Sequence, residues 1–401
     1  MKDRVIKAGP LKPSTAIIRA RTQGDFVISA ISIRDRLIKN CISSDIKTII
    51  VLVPAEQKKP PCIEYANEKS STVEYVDAAS LVNVPDLQNA LYIEDGFLLR
   101  TSLLDDFLAA DSKVMKSPTS DRIIFSKGGF VPEAAPQYAP DEIFDYDPFY
   151  VLEIREDNCR EARSRLFKWL SKDSDGFISK KLNRPVSSIF SKFFADYPLP
   201  PLYFSAATAF FALLMTYVLI GGGETGILWG CILFHVTSVV DGIDGEIARA
   251  KFQASEKGAK IDTTVDMITN ILFMGTMSYA LWSTYGNSYL ILGIYIVVLA
   301  MIGVSLMTLL VYFGPGGGDF DILAGIIKKR FEGKPRLLKI FNFSNYCLKR
   351  DFFAFLFAVL GLLGLGKYIP EFLIFGLIIW NIAIILNARA ILGLKEITSA
   401  E

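Results

Sequence analysis

Histidine is almost absent: the 401-residue chain has one, His235, against 42 acidic residues. A three-histidine metal site cannot be built from it, and a Ser-His-Asp triad would have no spare base. Cysteine is sparse and scattered, with Cys41, Cys62, Cys159, Cys231 and Cys347 forming no C-x-x-C pair and an odd total of five. That argues against a disulfide framework or a thiolate zinc site, and points to a reducing compartment for any soluble part. Net charge is only +1, so no global field draws in a polyanion, and no nucleic-acid partner is expected. The opening MKDRVIKAGPLKPS has no apolar core of the signal-peptide kind, so membrane insertion is expected to rest on internal segments.

Apolar residues, in contrast, are plentiful. They make up 51% of the chain, and the mean hydropathy is +0.35. They concentrate after position 200, which divides the chain into a soluble-looking part and a membrane part. The expected domains are 1–156, a linker with an amphipathic helix at 157–195, and a membrane domain at 196–401.

In the first part, short β-rich runs alternate with amphipathic stretches. Strands are predicted at Thr48–Val53, Thr72–Val76, Leu91–Ile93, Arg122–Phe125 and Phe149–Ile154. Helical spacing of apolar residues predicts a helix over Phe26–Cys41, and a second, basic helix runs over Asn158–Ser171. Alternating strands and helices predict an α/β domain.

Between Phe177 and Phe194 the apolar residues Phe177, Ile178, Leu182, Val186, Ile189, Phe190, Phe193 and Phe194 fall on one helical face. Lys180, Lys181, Arg184 and Lys192 supply cations. Such a helix is expected to lie in the plane of a membrane interface, its cations toward anionic headgroups. The alternative is an ordinary amphipathic helix packed on the soluble domain.

Six apolar segments follow, at about 202–220, 226–250, 258–283, 289–313, 352–366 and 370–392. Each approaches the roughly 20 residues that cross a bilayer core, the fifth being the shortest. The loops 221–225 and 284–288 carry no Lys or Arg, whereas 251–260 and 314–350 are rich in both. The positive-inside rule then puts the N-terminal domain, the basic loops and the C-terminus in the cytosol.

The second and third segments carry residues that a purely structural span avoids. Asp241, Asp244, Gly245, Ala248 and Arg249 share one helical face, and Gly258, Asp262 and Asp266 share another. The short turn between them makes the helices antiparallel neighbours. Asp241 and Asp266 then lie about 15 Å and 12 Å along their helices from the turn. Four carboxylates converge near the cytosolic side. Two like charges 4 Å apart repel by about 4 kcal/mol at an effective dielectric of 20, so protons or cations must neutralise the group. Oxygen ligands favour Mg²⁺, Mn²⁺ or Ca²⁺ over zinc. Gly245, Ala248 and Gly258 leave room for a bulky ligand against the backbone, and Arg249 is a planar cation suited to phosphate. His235, a turn and a half before Asp241, is expected to be a buried, hydrogen-bonded residue.

The segment DGIDGEIARAKFQASEKGAKIDTTVD (241–266) resembles the signature of the CDP-alcohol phosphotransferase family: D-x-x-D-G-x-x-A-R, eight residues, then G-x-x-x-D-x-x-x-D. The resemblance extends over about 175–395 and implies a six-helix transmembrane domain and a homodimer. It implies that Asp241, Asp244, Asp262 and Asp266 bind Mg²⁺ or Mn²⁺, with Ca²⁺ as a non-productive ligand. It also implies that cytidine rests near the motif glycines, that Asp266 is the base for an acceptor hydroxyl, and that CMP leaves.

The stretch DGFISKKLNRPVSS (175–188) and the GEIAR variant with Glu246 resemble the subgroup that joins a cytidylyltransferase-like domain to the transferase, best known from di-myo-inositol-phosphate-phosphate synthases. CDP-diacylglycerol or CDP-inositol as donor, inositol or inositol phosphate as acceptor, and membrane lipids are the partners so implied. YIEDGFLL (92–99) resembles the strand that carries the metal aspartate of nucleotidyltransferases, here Asp95. Their phosphate-cradling G-x-G-x-R loop is missing, since VIKAGPLKPSTAIIRA (5–20) has only Gly9 before Gly24. The α/β domain is therefore expected to be a degenerate nucleotidyltransferase without cytidylyltransferase activity, and Asp95 a relic or a turn residue.

Three alternatives stand beside this reading. A bifunctional enzyme would also make its own CDP-alcohol. A cation-coupled transporter would use the acidic cluster as an ion site, but those sites usually sit at the midplane on repeated or interrupted helices. A membrane scaffold would not need the aspartate spacing.

Overall fold

The computed structural model describes residues 13–54, 71–77, 90–120, 122–127, 138–171, 175–313 and 349–398. The basic loop at 328–339, Cys62 and Cys347 lie outside them. The chain divides into two compact units. The first runs to Leu170 and takes in Ala195–Pro198 and Ala250–Phe252; the second comprises Ser171–Phe194, Leu199–Arg249 and the chain from Gln253.

The first unit is built on a six-stranded sheet, in the order β5 (Thr72–Asp77), β4 (Thr48–Val53), β1 (Thr15–Arg19), β6 (Leu91–Glu94), β9 (Ile123–Lys127), β8 (Val114–Lys116). β5, β4, β1 and β6 are parallel, while β9 and β8 run antiparallel. TIIVLV at β4 is a continuous β-branched run because both faces of a parallel sheet are buried. Alternate residues divide between the faces. Ala16, Ile18, Ile49, Val51, Leu91 and Ile93 join Leu37, Ile38 and Cys41 of α1 (Ile33–Ser43) and Leu103, Leu104 and Phe107 of α2 (Ser102–Ala109) in one core. Ile17, Ile50 and Leu52 line the opposite face.

Two local expectations are corrected. Thr15–Arg19 is the sheet's central strand, where the sequence reading placed only loop. The helix expected from Phe26 begins at Ile33 instead. Before it, β2 (Val27–Ile28) and β3 (Ile31–Ser32) form a tight hairpin whose corner residues, Ser29 and Ala30, both have positive φ. Ser32 then caps α1, its hydroxyl accepting from Asp35 N at 3.0 Å. The short β7 (Phe97–Leu99) pairs with β10 (Val151–Glu153). α3 (Cys159–Trp169) turns Ala162, Leu166 and Trp169 onto Ile28, Ile33, Leu98 and Ile154.

The second unit is helical. A π-helical turn, Ser179–Asn183, leads into α4 (Arg184–Phe194). α5 (Leu202–Ile220), α6 (Gly223–Ala250), α7 (Glu256–Tyr285), α8 (Asn287–Phe313), α9 (Arg350–Leu362) and α10 (Ile369–Thr398) follow. Among the described residues, three helices are long and apolar enough to cross a membrane: Leu202–Ile220, Gly223–Ala250 and Asn287–Leu306. α7 has the length but carries Lys257, Lys260, Asp262 and Asp266. α9 has 13 residues, about 20 Å of helix against a hydrocarbon core of about 30 Å.

Candidate active site

Antiparallel neighbours α6 and α7 are closed by a short turn. α6 ends with Gln253 N donating to Ala248 O at 2.8 Å, and Ser255 caps α7, its Oγ accepting from Gly258 N at 3.1 Å. Deeper in the unit an aromatic stack fixes their register. Phe234 of α6 stacks on Phe273 of α7 with ring centroids 3.9 Å apart, and Phe357 of α9 stacks on Phe273 at 5.7 Å. Seven residues, or two helical turns, from each ring stand Asp241, Asp266 and Arg350 respectively. Three helices pinned at one level thus bring three charges together at the next.

Carboxylate oxygens of Asp241, Asp262 and Asp266 all lie within 4.8 Å of one another. The side chains of Asp262 and Asp266 come within hydrogen-bonding reach of Asp241, and Asp244 reaches Asp262. Asp244 faces away from the other three in one respect: its Oδ2 accepts from Ser205 Oγ of α5 at 2.6 Å. That bond fixes the carboxylate's rotamer and leaves its other oxygen to Gly245 N. Asp241 Oδ1 is buried and finds no donor among the described residues.

Of the residues expected around a bulky ligand, Gly245 lies against its own helix neighbour Arg249: a Cβ there would come 3.0 Å from Arg249 Nη1. Ala248 is half-buried on the same stretch, and Gly258 is exposed on the first turn of α7. His235 does not have the expected hydrogen bond at Nδ1; its ring instead packs edge-on against Phe355 at 5.6 Å.

Several site residues were not legible as such. Arg350 reads as part of a basic loop, yet its Nη2 lies 2.8 Å from Asp241 Oδ2 and its Nη1 bonds Asp266. The 84 residues between Arg350 and Asp266 hide the pairing; the only sequence signal is a lone Arg-Asp pair opening an apolar segment. Arg184 reads as a cation for lipid headgroups, but its side chain is only 17% exposed. It donates from Nε and Nη2 to Asp175 at 2.9 and 3.1 Å, and from Nη1 to Glu246 at 2.9 Å. Burial alone would lower its pKa, but Asp175 and Glu246 raise it instead. The apolar face of the same segment is as expected: Phe177, Val186, Ile189, Phe190 and Phe193 are exposed.

A cavity of about 240 Å³ opens beside the carboxylates. Asp175, Ser179, Asn183, Arg184 and Ser187 line one side of it. Asp241, Gly242, Asp266 and Arg350 line the other. It lies on the Asp266 side of the cluster rather than beside Gly245 and Gly258.

Residues 200–385, which hold all of these helices but α4, match the CDP-alcohol phosphatidyltransferase family. This part of the chain is a CDP-alcohol phosphatidyltransferase domain. The chain is also similar to proteins named bifunctional IPC transferase and DIPP synthase. The Aquifex aeolicus protein is 32% identical over 123 residues, 30% of this chain and 28% of that one. The Archaeoglobus fulgidus protein is 27% identical over 153 residues, covering 34% and 28%, and that of Thermococcus kodakarensis 27% identical over 125, covering 31% and 28%. The chain thus spans about 28% of the length of the curated relatives it matches.

The first unit has its own crevice, and it is filled. In a sheet of this order the ligand position is the C-terminal edge where β1 separates β4 from β6. There Asp95 is fully buried, its Oδ2 accepting from Arg34 Nε at 2.7 Å. Gly24, in the segment after β1, lies so close that a Cβ would overlap the Asp95 carboxylate. Arg34 also bonds Asp25 at 2.6 Å and Arg21 O at 2.7 Å. Burial pushes the Asp95 carboxyl up to about 6, against the pull of Arg34. Asp95 is thus neither a relic nor a turn residue but one half of a buried ion pair.

Proposed function

We propose that the chain moves a phosphorylated alcohol from a CDP-linked donor to an acceptor alcohol, releasing CMP, and that Asp241, Asp244, Asp262 and Asp266 carry the reaction. The observation that carries this reading is the convergence of Asp241, Asp262 and Asp266 within 4.8 Å around an Asp241 oxygen that has no donor. An all-carboxylate set with an orphaned oxygen suits a hard divalent cation such as Mg²⁺ or Mn²⁺. Asp241, Asp262 and Asp266 would hold it, with Asp244 kept in place by Ser205. When bound, such an ion neutralises pyrophosphate oxygens and polarises the phosphorus toward attack.

Asp266 stands at the cavity wall with its side chain one-third exposed, placed to take the proton of an acceptor hydroxyl. Arg350 bonds two of the carboxylates and offsets their mutual repulsion. The cavity on the Asp266 side is the acceptor's place, which leaves the Gly245 and Gly258 side to the nucleotide. The relatives' names favour inositol-phosphate-related substrates, with CDP-inositol or CDP-diacylglycerol as donors. The filled crevice between β1 and β6 favours activity in the helical unit alone over a bifunctional enzyme.

The test is CMP release by purified full-length protein across these donor–acceptor pairs, with Mg²⁺ or Mn²⁺ and with chelator. CMP should appear only with metal. Release that persists in chelator, or no release with any pair, would sink the reading.

A further inference from the structure

Ser238, Gly242 and Glu246 lie at successive intervals of four on α6, forming a stripe beside the motif aspartates. The segment before and within α4 bonds to each of them. Asn183 Nδ2 donates to Ser238 Oγ at 3.3 Å, Arg184 Nη1 to Gly242 O at 3.2 Å, and Ser187 Oγ to Glu246 Oε1 at 2.7 Å. Gly242 is small for a reason, since a Cβ there would come 3.2 Å from Arg184 Nη1. Glu246 is the hub: its side chain is 3% exposed, and one oxygen receives both Arg184 and Ser187.

Two further observations give the stripe a purpose. The apolar face of the segment is exposed, so its polar face is what joins it to α6 along this stretch. Only at its far end does Phe194 pack, onto Phe204, Ile243 and Ile247. Second, Asp175, Arg184 and Ser187 line the cavity opposite Asp241 and Asp266, whereas Glu246 stands behind Arg184 and does not line it. All three donor nitrogens of Arg184 are already engaged, so this side chain is a spacer of fixed position rather than a free cation.

We propose that Glu246 is a positioning residue for the acceptor. Through Arg184 and Ser187 it holds the segment Asp175–Ser187 against α6 and so sets the width of the cavity beside Asp266. This rests on the phosphotransferase reading for what the cavity holds, but not for the helix placement itself.

The experiment uses full-length protein in nanodiscs, comparing Glu246→Ala, Glu246→Gln, Arg184→Met and the Glu246→Ala/Arg184→Met double variant. Loss of one charged hydrogen bond should raise the acceptor KM by about tenfold or more. Donor KM and Mn²⁺ affinity should stay near wild type, Gln should recover part of the loss, and the double variant should be no worse than the worse single one. Spin labels at Val186→Cys and Met267→Cys, both exposed positions, report the helix placement without any turnover. Their distance distribution should shift or broaden in Glu246→Ala. An unchanged distribution overturns the proposal, and so does an unchanged acceptor KM. A fall in Mn²⁺ affinity that matches the kinetic loss also overturns it, because the effect would then be on the carboxylates. A wild-type protein that releases no CMP refutes the functional reading instead, while the labels still decide the positioning.

Discussion

Arg350 Nη2 lies 2.8 Å from Asp241 Oδ2, and the same guanidinium bonds Asp266. A protein cation therefore shares the carboxylates that are proposed to hold a metal. Removing one partner of a buried pair leaves the other uncompensated, at a cost of about 3–5 kcal/mol. Arg350→Gln should lower thermal stability in chelator and regain most of it in Mg²⁺ or Mn²⁺. Thermal unfolding of wild type and variant under both conditions checks this; a loss that metal does not repair would count against a cation site at these residues.

Asp266→Asn should reduce CMP release by about 10²–10⁴-fold, the usual worth of a general base. CDP binding should remain measurable, because Asp241, Asp244 and Asp262 are intact. Equilibrium binding of CDP beside steady-state kinetics separates the two effects, and full activity in the variant would remove Asp266 from the base role.

The register of the site depends on Phe273, sandwiched between Phe234 and Phe357. Phe273→Ala should cost about 3–5 kcal/mol in stability. It should also weaken Mn²⁺ binding at positions two turns away, although no ligand is touched. Mn²⁺ titration followed by electron paramagnetic resonance reads this directly. Unaltered affinity would show that the helices keep their level without the stack.

The Asp95 carboxyl, pushed up to about 6 by burial, has a definite pH signature. Its folded value lies above that of an unfolded aspartate, so its contribution to stability is present below about pH 4 and lost as pH rises through 6. Across that window wild type should lose up to about 3 kcal/mol relative to Asp95→Asn. Unfolding of both proteins from pH 4 to 7 measures the gap; a gap that moves the other way would mean that Arg34 outweighs burial.

The parts of this architecture legible in the sequence are those written in local periodicity. β4 follows from an unbroken β-branched run, and the facing aspartate stripes follow from intervals of three and four. β1 was missed because TAIIR is short and its hydrophobic run does not stand out from the flanking residues. The β2–β3 hairpin was read as helix because Val27, Ala30 and Ile31 also fit a helical period, and its positive-φ corner carries Ser-Ala rather than the usual Asn-Gly. Arg350, Arg184 and Glu246 escaped for a different reason. Each acts through a partner at least 60 residues away in sequence, and nothing in local spacing marks a charge as buried.

The π-helical turn at Ser179–Asn183 has a consequence for how this chain tolerates change. A π turn holds one residue more than an α turn, and it sits just before the residues that meet α6. Deleting a single residue there would let the turn relax into regular helix and rotate everything downstream by about 100°. The oily side of α4 would swing toward α6 and its hydrogen-bonding side toward lipid. A one-residue deletion between Ser179 and Asn183 should therefore harm membrane association and CMP release together, whereas Lys180→Gln or Lys181→Gln, both exposed, should affect neither strongly.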